Sequence, residues 1–291
     1  MTYPKRRFPY LKVKTHHANN HMAALQLNFR EYGRGEKTLV ILHGVLGAGQ
    51  NWQRVAKALG ETMRVLVVDQ RNHGNSPHTA THTIEDLRED IKDFFEHQNL
   101  AQAYVLGHSM GGMAAMEFAF HCPERVQGLI VEDIAPRSYR SSSVDIIAAL
   151  AHLDLKTLAS RQHADEELAK LIPNETVRQF VLTNLVRDAD GAWQWRMNMA
   201  ALATYQHALA SYEAPVHARF EGETLFLGGA RSEFHLDHYH DLIFYHFPNS
   251  HLEMIPEAGH WLHFEKWELF VALVRRFVKH GLAFVVTPSG V

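Results

Sequence analysis

Tyr104-Val105-Leu106-Gly107-His108-Ser109-Met110-Gly111-Gly112 is the stretch that decides how this chain folds. Residues 104–107 are a short apolar run of the kind that fills a strand buried on both faces of a sheet. The segment after Ser109, through His121, is rich in small and apolar residues and reads as a helix. Between them stands G-x-S-x-G, a sharp strand-to-helix turn with a serine at its apex. A turn this tight strains the backbone, and the flanking glycines remove side chains that would collide. The Ser109 hydroxyl is then held at a helix N-terminus, where free N–H groups and the helix dipole favour developing negative charge. Ser109 is the candidate nucleophile. The structural alternative is a tight turn whose serine only caps the helix.

The same alternation extends in both directions. Apolar runs at 38–43 (TLVILH), 65–69 (VLVVD), 126–133, 223–227 and 251–255 predict further buried strands. Between and after them, 50–59, 236–247 and 261–280 read as helices. Ile84, Leu87, Ile91, Phe94 and Phe95 recur at helical spacing behind a Thr83 cap. Leu25, Leu27 and Phe29 alternate with polar residues and predict a strand with one exposed face. Strands alternating with helices give the α/β class, with a mainly parallel central sheet and helices on both faces. Residues 137–215 interrupt the pattern. They hold no convincing buried strand and read as helices at 144–153, 166–172 and 176–184, a helical insertion in the position of a lid. The expected organisation is a core of 25–136 and 216–282 with a helical cap of 137–215. Residues 282–286 are expected to pack on their own domain. Residues 1–24 carry basic residues and no acidic ones, and no apolar segment follows. They are expected to be a poorly ordered extension, with Met22 a plausible native start.

Composition excludes several function classes. The chain has 291 residues, 46% hydrophobic and 21% charged, enough to bury a large core without disulfides or metals. Lys and Arg number 29 against 32 Asp and Glu, a net charge of −3 that argues against a nucleic-acid partner. A single cysteine, Cys122, rules out an internal disulfide and makes a reducing, cytoplasmic compartment the expectation. No apolar stretch reaches about 18 residues, so no membrane span is expected. The oddity is 22 histidines. Half-protonated near pH 6.5, they would carry the net charge from −3 to about +8.

Two more segments carry chemistry. His43-Gly44-Val45-Leu46-Gly47 directly follows a buried strand. An oxyanion hole needs two backbone donors aimed at one point. The Met110 N–H, next after the nucleophile, supplies one, and the Val45 N–H is the candidate for the other. The alternative is a plain Gly-rich turn; no phosphate-loop pattern is present. Gly259-His260-Trp261 follows the strand at 251–255. A loop histidine there completes the chain order Ser…acid…His, so His260 is the candidate general base. Asp133, Glu233 and Asp237 compete for the acid. Asp133 ends its strand at the sheet edge that carries Ser109, and its structural alternative is a capping role.

These motifs resemble the α/β-hydrolase superfamily. The likeness rests on His43-Gly44, Asp69-Gln70-Arg71-Asn72-His73-Gly74-Asn75-Ser76, the Ser109 elbow and Gly259-His260, and spans most of residues 25–280. More narrowly, Arg71-Asn72-His73-Gly74, Glu132-Asp133-Ile134-Ala135-Pro136 and Gly259-His260-Trp261 look like the small esterases of the YbfF and ABHD11 types. The chain departs from the broad superfamily at 228–233, where Ser232 stands in the usual aspartate position. The narrower group has its acid on the earlier strand and a serine in this loop. That implies the triad Ser109, Asp133 and His260, with Ser232 auxiliary. Residues 69–76 read as a structural turn, with Gly74 at positive φ and Arg71 ion-paired. His43, Gly44, Leu46, His108 and Trp261 are the candidate substrate contacts.

The implied function is hydrolysis of a small-molecule carboxylic ester, or an acyl thioester, through an acyl-enzyme, with no cofactor. C–C bond hydrolysis and cofactor-free perhydrolysis use the same triad, and a non-catalytic receptor of this fold is a further alternative. Dehalogenation and epoxide hydrolysis are disfavoured, because those relatives carry aspartate at the elbow. The crowded His235, Asp237, His238, His240 and Asp241 read as a solvated helix face, and no metal is expected. Trp193, Trp195, Met197, Met199, Tyr205 and Tyr212 either line an acyl pocket or form the core of the cap. A monomer or a homodimer is expected.

Overall fold

The computed structural model describes residues 25–139 and 143–283. The expectations for 1–24, including Met22, lie outside them, as does most of 282–286. Leu282 itself packs against the core.

In chain order the elements are β1 (Phe29–Tyr32), β2 (Thr38–Leu42), α1 (Gln53–Leu59), β3 (Arg64–Val68), α2 (Ile84–His97), β4 (Ala103–His108), α3 (Met110–His121) and β5 (Val126–Glu132). Then come α4 (Ser143–His152), α5 (Arg161–Ala169), α6 (Glu175–Leu182), β6 (Leu185–Arg187), β7 (Trp193–Trp195) and α7 (Met199–Ala210). The chain closes with β8 (Thr224–Gly229), α8 (His240–His246), β9 (Ser250–Ile255), α9 (Leu262–Glu265) and α10 (Trp267–His280).

Among the described residues the main sheet has seven strands, in the order β1-β3-β2-β4-β5-β8-β9. β1 pairs antiparallel with β3, and every other pairing is parallel. Alternate side chains feed two cores. Val40, Leu42, Val105 and Val131 face α2, α3 and α8, while Leu39, Ile41, Leu106 and Ile130 face α1 and α10. Helices on both faces are what make these strands apolar throughout. α2 starts with a reciprocal cap: Thr83 Oγ1 accepts from the Asp86 N–H at 3.1 Å, and the Asp86 carboxylate accepts from the Thr83 N–H at 3.0 Å.

Three details differ from the sequence pattern. The first strand begins at Phe29, because Asn28 is held by the 69–76 turn: its N–H donates to Ser76 Oγ at 2.8 Å and its amide to Asp69 Oδ2 at 2.7 Å. The segment 236–247 splits into a 3₁₀ turn and α8, and 261–280 breaks at Lys266 into α9 and α10. Among the described residues, the insertion between β5 and β8 contains a small hairpin, β6–β7, beside the helices α4 to α7. Its tryptophans are half-buried, so the segment lacks the apolar run that betrays a buried strand.

The 69–76 turn behaves as its composition implies. Gly74 has φ +57, and Arg71 makes a bidentate pair with Asp90 at 2.6 and 2.7 Å and reaches Asp86 at 3.0 Å. The insertion is fastened to the rim of the sheet by Asn184, whose amide donates to Leu46 O at 2.7 Å. Asn198 adds a second tie, donating to Asn72 O at 2.9 Å. No helix among the described residues is long and apolar enough to cross a membrane.

Candidate active site

The elbow is built as the glycines require. Ser109 sits between β4 and α3 with φ +52 and ψ −117, a conformation that side-chain-bearing residues avoid. A Cβ on Gly107 would lie 2.1 Å from Gly111 O, and one on Gly111 would lie 2.4 Å from Leu42 O. Only hydrogen fits at either position. Ser109 is nearly buried and opens onto a cavity of about 670 Å³.

Asp133 follows β5 and also has a positive φ, +53. Its side chain is fully buried, and three donors converge on it. His260 Nδ1 lies 2.7 Å from Oδ2, the Ser232 hydroxyl donates to the same oxygen, and the Gly229 N–H donates to Oδ1 at 2.9 Å. Of the three competing carboxylates, Asp133 is the one in contact with His260. Glu233 is exposed at the cavity wall, and Asp237 lies on the exposed 3₁₀ turn near His238.

His260 reaches the site from the loop between β9 and α9. Its ring stacks on Phe234, with centroids 4.3 Å apart and an interplanar angle of 19°. His260 and Ser109 line the same cavity, and among the described residues no hydrogen bond joins Ser109 Oγ to the imidazole. Such bonds are often long until substrate is bound. Val45 and Met110 flank Ser109, and neither N–H has a hydrogen-bond partner among the described residues.

The candidate substrate contacts divide. Leu46, His108 and Trp261 lie on the cavity wall together with Val45. His43 and Gly44 do not. His43 is buried, its Nδ1 donates to Gly44 O at 2.8 Å, and its Nε2 accepts from the Gln70 N–H at 3.1 Å. Burial holds its imidazole below the usual range. With both nitrogens engaged, its work is to shape the loop that carries Val45. His73 does the same from the other side, its Nε2 accepting from the Leu46 N–H at 3.2 Å.

Trp193, Trp195, Met197 and Met199 pack in the core of the inserted helices, and Tyr212 donates to Glu117 Oε1 at 2.8 Å beneath α3. Tyr205 is likewise absent from the cavity wall. The insertion contributes Ile146, Ile172, Val177, Phe180 and Val181 to that wall instead. Sequence reasoning missed Phe234, Glu132 and His263. Glu132 was visible as the neighbour of Asp133, and His263 as a second histidine one helical turn past His260.

Among the described residues, one group places three potential metal-ligand atoms within 4.8 Å of one another: His108, Glu132 and His263, all buried. Each of the three side chains is hydrogen-bonded to protein. His263 Nδ1 lies 2.8 Å from Glu132 Oε1, and His108 Nε2 lies 3.0 Å from the carbonyl of His260. The 235–241 histidines are exposed and form no such group.

Comparison with known proteins agrees with this architecture. Residues 37–157 match the model of the family described as the alpha/beta hydrolase fold. The Mus musculus protein named sn-1-specific diacylglycerol lipase ABHD11 is 34% identical over 255 residues, 84% of this chain and 82% of its own. Esterase YbfF of Escherichia coli is 31% identical over 242 residues, 82% of this chain and 92% of its own. Among solved structures, a marine microorganism esterase matches with a TM-score of 0.84 and 36% identity, over 87% of this chain and 99% of that one. On its sheet, its elbow and these relatives, the chain belongs to the α/β-hydrolase family.

Proposed function

We propose that this chain is a serine hydrolase that cleaves carboxylic esters through an acyl-enzyme, with Ser109, His260 and Asp133 as its triad. The relatives named esterase or lipase support the ester class. The observation that carries the triad is the 2.7 Å contact between Asp133 and His260, on a histidine that shares a cavity with the elbow serine. His260 takes the Ser109 proton as Oγ attacks the carbonyl carbon. The oxyanion is held by the Val45 and Met110 N–H groups. Collapse of the tetrahedral intermediate breaks the bond to the alcohol oxygen, which leaves with the proton from His260. Water, activated by His260, then frees the acid and restores Ser109. The helices between β5 and β8 act as a cap over this cavity.

The space around Ser109 supports an assignment of the two halves of the ester. Beside the main cavity lies a recess of about 30 Å³, lined by Ser109, Met110, Ile134, Leu202 and Leu209 among others. His260 borders the main cavity and is not on the recess wall. The leaving oxygen must meet His260, so the alcohol occupies the main cavity and the acyl chain enters the recess. Its volume takes about two water-sized groups. Short acyl chains, such as acetyl and propionyl, on a bulky apolar alcohol are the substrate class that fits.

The test is a fluorophosphonate probe followed by turnover of p-nitrophenyl esters. The wild type is expected to be labelled at Ser109. Ser109→Ala is expected to lose turnover by about 10⁶-fold, the scale seen for a protease nucleophile. Retained ester turnover in pure Ser109→Ala overturns the proposal.

A further inference from the structure

The loop that delivers His260 is held at two points by residues of the two strands that deliver Ser109 and Asp133. His108, immediately before Ser109, donates from Nε2 to the carbonyl of His260 at 3.0 Å. Glu132, immediately before Asp133, accepts the His263 backbone N–H at 3.0 Å and His263 Nδ1 at 2.8 and 3.0 Å. The two anchors touch: the His108 ring meets His263 edge-on at 5.0 Å and His260 at 4.5 Å between centroids. Trp52 closes the far side, stacked on His263 at 4.0 Å and 13°. Glu132 also holds the elbow, its carbonyl accepting the Ser109 N–H at 3.0 Å. His108, Glu132 and His263 are all buried, so these bonds are shielded from competing water.

From this geometry we infer that His108 and Glu132 are positioning residues for the hydrolysis, forming a clamp that fixes His260 relative to Ser109. The inference rests on the triad proposed above. A general base on a loop has freedom that one on a strand does not. Tying the loop to the last residues of β4 and β5 gives all three reacting groups one rigid frame. Gly44 belongs to the same device, since a Cβ there would lie 2.7 Å from His108 Nδ1. Burial, then the neighbouring His260 and His263, keep the His108 imidazole well below its ordinary range. A neutral ring is what a single Nε2–H donor to a carbonyl calls for.

The experiment compares His108→Leu, which removes the donor, with His108→Gln, whose amide nitrogen reaches about where Nε2 stands. Glu132→Gln tests the other anchor. Each variant is assayed for kcat, KM, fluorophosphonate labelling rate and thermal midpoint. A misplacement of about 1 Å costs up to about 10²-fold in rate. His108→Leu is therefore expected to lose about 10- to 100-fold in kcat and in labelling rate, with KM within about twofold. His108→Gln is expected to recover most of that loss. Glu132→Gln is expected to lower kcat in the same sense and remains informative where His108→Leu does not fold. Wild-type kcat in folded His108→Leu overturns the clamp, and so does equal loss in the Leu and Gln variants. Ser109→Ala, run in parallel, separates the two ideas. Turnover surviving there removes the triad itself, whereas an inactive Ser109→Ala beside a fully active His108→Leu removes only the clamp.

Discussion

Asp133 and His260, separated by 127 positions in the chain, meet through a 2.7 Å contact between Oδ2 and Nδ1. The contact engages Nδ1 and leaves Nε2 as the nitrogen that would serve Ser109 in the proposed triad, with Asp133 rather than Glu233 as its acid. Asp133→Asn keeps the size of the side chain but offers His260 the wrong partner, which favours the wrong tautomer. Turnover is expected to fall by about 10²- to 10⁴-fold, at unchanged thermal stability within a few degrees. Glu233→Gln is expected to stay within about twofold of wild type. The assay is p-nitrophenyl acetate turnover on both proteins, and a normal rate in Asp133→Asn would falsify the assignment of the acid.

The recess beside Ser109 predicts a change in acyl-chain preference. Leu202 is almost fully buried and forms part of the recess wall. Leu202→Ala removes three carbons from that wall. The ratio of kcat/KM for p-nitrophenyl hexanoate over acetate is expected to rise at least tenfold, about 1.4 kcal/mol of transition-state preference. The same change should lower stability by about 2–5 kcal/mol, the usual cost of a buried leucine. An unchanged ratio in a folded variant would show that the acyl chain lies elsewhere.

Arg71 supplies a prediction about stability that is independent of the chemistry. It meets Asp90 through two hydrogen bonds, and both side chains are almost fully buried. Removing one member of a buried pair leaves an uncompensated charge, which costs about 3–5 kcal/mol. Arg71→Leu is expected to unfold at lower urea by that amount. The pair ties the 69–76 turn to α2, and that turn holds the Val45 loop through His73. The surviving folded fraction should therefore also lose kcat. A loss under 1 kcal/mol by urea titration would contradict the pair's structural role.

What the sequence made legible follows from the range of the signal. The strands and elbow rest on local rules: uninterrupted apolar runs, helical spacing, and glycines at the turn. The Gly107 and Gly111 crowding is the physical content of the G-x-S-x-G pattern. The order of strands across the sheet, and the fact that Glu132 rather than solvent receives His263, depend on non-local packing that no short window contains. Phe234 is an instance. Its sequence context is an exposed loop, yet its ring stacks on His260. The tryptophans at 193 and 195 left two readings open, a binding wall or the core of the inserted helices, and they pack against that core. Composition alone does not separate these, because an aromatic ring suits a binding wall and a small core equally well. His43 and His108 adjoin the reacting groups in sequence or loop, and only the third dimension reveals that both nitrogens of His43 and Nε2 of His108 serve backbone partners.

The histidine content has a consequence for stability against acid. His43, His73 and His82 stand ring to ring, with centroids 5.1 and 5.4 Å apart. Burial holds all three below their ordinary range, His82 to about 4. In the unfolded chain the same ring takes its proton near pH 6.5. Between about 6.5 and 4 the unfolded state therefore binds more protons than the folded one, so stability falls as pH falls through that window. For His82 alone the full effect is about 3 kcal/mol. Urea midpoints are expected to be level above pH 7 and to drop progressively from pH 6.5 to 5. His82→Gln removes one of the buried rings and is expected to flatten the slope, whatever it does to stability at pH 7. Parallel slopes for the wild type and His82→Gln would place the source of acid sensitivity outside this stack.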